Sequence, residues 1–338
     1  MSALRSGHGT LLLERAPGVL SAASVVGKKE GAGALAGYFD RVETDASFGQ
    51  KSWERAESAM LRECLRLACE KAGIAAQSLD AVLAGDLINQ CAGSSYALRD
   101  CGAPFIGLYG ACSTMAEALC LAAVIIDGGG AGKVAALTGS HFCTAERQFR
   151  FPLEYGALRT PSSQWTVTGA GALILSDAAP PPYVTCVTFG VPYDAGIKDT
   201  SDMGAAMAPA ACSTLLAHFA ATGREPDFYD AVITGDLGRR GSDILAELLE
   251  MNGLRLGGRH IDCGSLIYGG DRSVKSGGSG CGCSASVLAG YVLSRLRSGE
   301  WTRVLFAATG ALMSGVTSQQ GESIPGVCHA AALEMERD

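Results

Sequence analysis

Apolar positions in this chain fall into short continuous runs closed by Gly-rich turns, and these alternate with longer stretches of helical spacing. The pattern predicts a helix over Trp53–Ala72 and another over Ala205–Ala221, each followed by a short strand that ends in Gly-Asp-Leu. A further helix is expected at Asp243–Met251. Strands follow at Phe105–Tyr109 and Arg259–Asp262, then long apolar helices at Thr114–Ile126 and Ala285–Leu296. The next strands are Lys133–Leu137 and Arg303–Ala308, and apolar strands at Val167–Leu175 and His329–Glu334 close the two series. Strands alternating with helices predict α/β layers.

The two series are copies. "DAVLAGDL" at Asp80–Leu87 and "DAVITGDL" at Asp230–Leu237 agree at six of eight positions. "ACSTMAEAL…KVAALTGS" from Ala111 matches "GCSASVLAG…RVLFAATGA" from Gly282 without a gap, pairing Cys112 with Cys283. Two matches in the same order indicate a duplicated unit. The expected halves are residues 1–179 and 183–338, joined at "APPPY", and the expected fold is a five-layer αβαβα stack. Burial of both central helices between two sheets explains why Met115–Ile126 is apolar on nearly every face.

Composition narrows the class. The chain has 338 residues, 48% of them hydrophobic, enough for a sizeable core without metal or disulfide staples. Net charge is −7 with mixed signs and no basic run, which argues against nucleic acid and against charge-driven membrane attraction. The amino-terminal stretch has only a three-residue Leu run, and the longest apolar run, Leu119–Ile126, is too short to span a bilayer. A soluble intracellular protein is expected, with its 13 cysteines reduced and mostly buried.

These features resemble the thiolase superfamily, which includes the ketoacyl synthases; their nucleophilic Cys opens the first buried central helix. The segments "AGDLINQ", "YGACSTMAEAL", "TAERQFRFPLEYG", "VTGAGALILS", "TGDLGRRG", "SGGSGCGCSAS" and "ATGALMSGVTSQQGESIP" are similar, more closely, to the stage V sporulation protein AD family of endospore-forming bacteria. That resemblance implies a thiolase-like fold and a binding role. The implied ligand is dipicolinate, alone or as its calcium complex, taken up into the developing spore with integral membrane proteins as partners. It also implies a cytoplasmic protein peripheral to the spore inner membrane and, by analogy with the superfamily, a homodimer. No cofactor and no metal site is expected.

Cys112 is the chemical question. A thiol at a helix amino terminus meets free N–H groups and a positive dipole end, which favour thiolate and acyl transfer through a thioester. The alternative function is therefore a condensing enzyme with Cys112 as nucleophile. Its partners are missing from the pattern. Where a synthase carries Gly-Asn before the second central helix this chain reads "GGSGCGCSAS", and His260 lacks the His-x-x-Asn pattern. A Cys112–His329 dyad stays open as an arrangement for an enzyme. For ligand binding the candidates are Cys112, His141, His329, Arg147 and Asp86, with Arg150 in the same loop as Arg147. Each has a plain structural reading as well: core histidines with satisfied ring nitrogens, loop arginines paired with Glu146 or Glu154, and Asp86, with its repeat partner Asp236, capping a turn. The Cys281–Cys283 pair lacks zinc-site spacing and is read as tight helix packing.

Overall fold

The computed structural model describes residues 4–150 and 159–337. In the first half, β1 (Gly18–Gly27), β2 (Ala81–Gly85), β3 (Phe105–Gly107), β4 (Lys133–Ser140) and β5 (Gly169–Ser176) lie in the order β3-β2-β4-β5-β1. In the second, β6 (Tyr183–Phe189), β7 (Ala231–Thr234), β8 (His260–Asp262), β9 (Arg303–Ala311) and β10 (Gly326–Glu334) lie in the order β8-β7-β9-β10-β6. The two orders are the same. So are the directions: β2 pairs in parallel with β3 and β4, and β7 with β8 and β9, while the last two joins of each set are antiparallel. A bridge between Tyr183 and Gly18 joins β6 to β1, so the sets run on as one sheet.

Both faces of each set are covered, which is why the strands read as continuous apolar runs. In β10, Ala331 and Leu333 enter the central core while Cys328, Ala330 and Ala332 enter the outer one. In β5, Leu173 and Leu175 face the centre and Ala170, Ala172 and Ile174 face outwards. The central layer holds α2 (Thr114–Asp127) and the helix that begins at Cys281. Outside lie α1 (Trp53–Ala72) over the first set and α4 (Met203–Thr222) with α5 (Gly238–Met251) over the second. Helix α1 has the bounds its pattern predicts; it starts where Ser52 accepts the Arg55 N–H and ends at left-handed Gly73.

The second central helix starts four residues earlier than its pattern predicts. Gly280, at φ +102, turns the chain directly into Cys281–Val287, and a π-helical turn at Leu288–Val292 carries it on to Arg297. Small residues let it lie against the first sheet. A Cβ on Gly171 of β5 would stand 2.1 Å from the Ala285 carbonyl oxygen, and one on Gly282 would stand 2.2 Å from that of Gly169. Met203–Thr222 is long and apolar enough to cross a membrane by composition, but it is mostly buried here as a core helix.

Candidate functional site

Cys112 sits on a tight turn, Ala111–Ser113, that feeds α2. Ala111 takes φ +50, a conformation L-residues seldom adopt, and so marks a constrained turn. The turn is tied down locally: Ser113 Oγ donates to Gly110 O at 2.7 Å, and Thr114 Oγ1 donates to Ala111 O at 2.7 Å. From the second half, Gly310 comes so close that a Cβ there would stand 2.0 Å from Gly110 O. The result aims the Cys112 side chain into a cavity of about 230 Å³ between the two halves.

Beside Cys112 and Ser279, behind the cavity wall, lies Asp236, a residue that simple repeat symmetry hides. Its carboxylate is fully buried at the end of β7 and interacts with the Cys112 thiol. Oδ2 accepts the Gly280 N–H at 2.7 Å and the Ser279 hydroxyl at 3.1 Å, whereas Oδ1 has no hydrogen-bond partner. Ser279 Oγ also lies 4.0 Å from Cys112 Sγ. Burial, then the Asp236 charge, pushes the thiol well above its ordinary range. Burial likewise lifts Asp236 to about 7. A thiol facing a carboxylate is the reverse of a thiol facing an imidazole: charge on one opposes charge on the other.

The repeat copies diverge at this point for a definable reason. In the first half Asp86 takes the Ile88 N–H at 2.9 Å and the Ser94 N–H at 2.7 Å, and Ser94 Oγ also donates to it. That is the turn-capping role, away from the cavity. In the second half Asp262 takes the Leu237 and Gly238 N–H groups at 2.8 and 2.9 Å, which leaves Asp236 free to reach Gly280 and the thiol.

The other candidates scatter. His141 is 1% exposed and caps α3 (Phe142–Phe149): Nδ1 accepts the Cys143 N–H, Nε2 donates to Ala46 O at 2.8 Å, and the ring stacks on Trp53. Both nitrogens are committed, and burial lowers its pKa. His329 accepts the Gly190 N–H at 3.3 Å and packs edge-on against Phe189; burial takes it down to about 4, so it is neutral. Neither ring lines the cavity. Arg147 is half exposed and pairs with Glu54, while Glu154 lies outside the described residues. Cys281 and Cys283 donate to Gly139 O and Gly235 O, one in each half; no metal-binding cluster occurs among the described residues.

Arg150 does line the cavity, with Arg159 behind it. Both guanidinium groups share Glu146, Arg159 at 3.1 Å, and both donate to Gln164 O, at 3.1 and 2.9 Å. Among the described residues, two cations thus share one carboxylate on this wall. Gln164 Nε2 donates to Asp236 O and Gly278 O, so its Oε1 is left buried without a partner. Arg159 and Gln164 carry no motif of their own; only the fold brings "RTPSSQW" beside the cavity.

A family model described as stage V sporulation protein AD matches residues 7–334. The stage V sporulation protein AD of Bacillus subtilis (strain 168) is 41% identical over 329 residues, covering 97% of each chain. Among solved structures, 3-oxoacyl-[acyl-carrier-protein] synthase III from Aquifex aeolicus VF5 superposes with a TM-score of 0.57 at 13% identity, over 94% of this chain and 99% of that one. Cerulenin-bound OleA from Xanthomonas campestris gives 0.62 at 13% identity, over 98% and 99%. At that identity the likeness concerns the fold, a thiolase-like five-layer αβαβα. The chain therefore belongs to the stage V sporulation protein AD family, a sporulation protein family whose member here has the fold of the ketoacyl synthases.

Proposed function

We propose that this protein binds dipicolinate, alone or as its calcium complex, in the cavity beside Cys112 and does no chemistry on it. The observation that carries the reading is the pairing of Cys112 with a buried carboxylate, on a cavity to which no histidine is brought among the described residues. An acyl-transfer site needs a base or an oxyanion partner beside its thiol. Here the groups beside the thiol are Asp236 and Ser279: Asp236, once charged, opposes the thiolate that acyl transfer uses, and no imidazole lines the cavity among the described residues.

What remains suits a small flat dianion. Arg150 offers charged donors to one carboxylate, and Leu87, Phe149 and Met203 give the ring apolar walls. The unpartnered oxygen of Gln164, a residue of the cavity wall, suits a cation that the ligand carries with it. In this reading the protein works on the cytoplasmic side of the spore inner membrane, as a homodimer, and delivers ligand to integral membrane partners.

Calorimetric titration of dipicolinate into the purified protein tests this. Saturable binding is expected, and Arg150→Gln weakens it about tenfold to hundredfold, the worth of one charged hydrogen-bonded contact. Absence of heat across millimolar ligand, with the fold intact, would rule the reading out.

A further inference from the structure

The chain has no basic run, yet the fold assembles a basic surface from three distant segments. Lys29 Nζ reaches Asp271 Oδ2 at 2.9 Å and Ser273 Oγ at 3.1 Å, which sets the loop at Lys28–Lys29 beside Arg272–Lys275. The Arg239 guanidinium donates to Lys275 O, and the Arg239 and Arg240 N–H groups bond to Ser276 O and Oγ at 2.7 and 3.0 Å. This fixes the start of α5 against the same segment. Lys28, Arg239, Arg240, Arg272 and Lys275 are exposed, and Lys29 is half-buried. The acids that reach the surface among them are fewer: Asp271 is taken by Lys29, Asp202 by Arg240, and Asp243 lies one turn along α5, while Glu30 and Asp262 beside them are buried. A net positive belt thus stands out on a protein whose overall charge is −7.

The belt leads to the cavity. Asp202, which holds Arg240, is flanked in sequence by Ser201 and Met203, both on the cavity wall. Ser276 N–H bonds to Ser163 O, next to the wall residue Gln164. Lys29 lies 4.7 Å from the Trp165 ring centre and Arg159 4.5 Å from it, so the cations continue inwards to Arg159 and Arg150.

We infer that this belt is an electrostatic approach path that captures small dianions and steers them to the cavity beside Cys112. The inference rests on the binding reading above and adds a kinetic role for residues outside the cavity. Aligned cations act over about a Debye length, so their effect belongs to association and fades with salt.

Stopped-flow association of dipicolinate tests it, with wild type against Arg272→Glu/Lys275→Glu, and with Arg272→Gln/Lys275→Gln as a milder pair. At low salt the charge reversal is expected to slow association about tenfold, with dissociation unchanged and the gap closing near 0.5 M salt. The neutral diamide of the same acid should bind all proteins at one rate. Equal association rates for dipicolinate at low salt, or a change confined to dissociation, would overturn the belt alone. No binding by wild type would overturn both the belt and the reading beneath it.

Discussion

Asp236→Asn is expected to raise the alkylation rate of Cys112 about tenfold at pH 8. The carboxylate lies against the thiol and opposes formation of a second negative charge beside it. Removing that charge returns the sulfur to the influence of the α2 amino terminus, which favours thiolate. The gain is smaller than the change in thiolate fraction, because nucleophilicity falls as thiol pKa falls. The pH dependence has a definite sign. Asp236 titrates at about 7, so below that value it is already neutral and the two proteins should react alike. Above it the wild type is held back and the variant is not, so the ratio of rates should climb through pH 7. Peptide mass spectrometry after timed exposure to iodoacetamide reads this directly; a ratio that stays flat with pH would remove Asp236 from the account.

Gly171→Val should abolish the soluble folded protein. A Cβ on Gly171 would stand 2.1 Å from the Ala285 oxygen and 2.3 Å from its carbonyl carbon, and both are helix backbone that no rotamer change can move. The second central helix must then lift from the first sheet, opening the layer in which Leu173, Leu175 and Leu288 are buried. Overpacking a core typically costs about 1–3 kcal/mol, and displacing a whole helix costs more, against a total stability of about 5–15 kcal/mol. The smaller change Gly171→Ala keeps the test quantitative: its denaturation midpoint should fall clearly. Gly258→Ala, where a Cβ meets nothing within 4 Å, should leave the midpoint in place. Equal midpoints would show that the helix does not seat there.

The layers could be read from the sequence because each obeys a local rule. Continuous apolar runs mark strands covered on both faces, and the all-round apolar helix at Thr114 marks the buried centre. The repeat gave the order of elements. It also misled at one point, because matching Asp86 to Asp236 suggests matching roles. What breaks the match is Asp262, whose side chain caps the second turn. Strand-end Asp262 ahead of the Gly-rich run at Gly277–Gly282 was the available signal. The histidines illustrate the opposite limit. His141 follows a strand end as a site residue would, but its ring nitrogens are consumed by Cys143 and Ala46, contacts that depend on packing rather than spacing. The basic belt is invisible in the sequence for the same reason, since its segments meet only in three dimensions.

The account turns on whether the Cys112 sulfur of the native protein is held protonated as part of a binding wall. Alkylation of wild-type Cys112 followed from about pH 6 to pH 9 decides this. Slow modification is predicted that never reaches a plateau across the range, with only a shallower rise above about pH 7 where Asp236 ionises, because burial and Asp236 keep the thiol above its ordinary value. Fast modification that reaches a plateau near or below neutrality would reveal an activated thiolate and return the protein to the condensing enzymes.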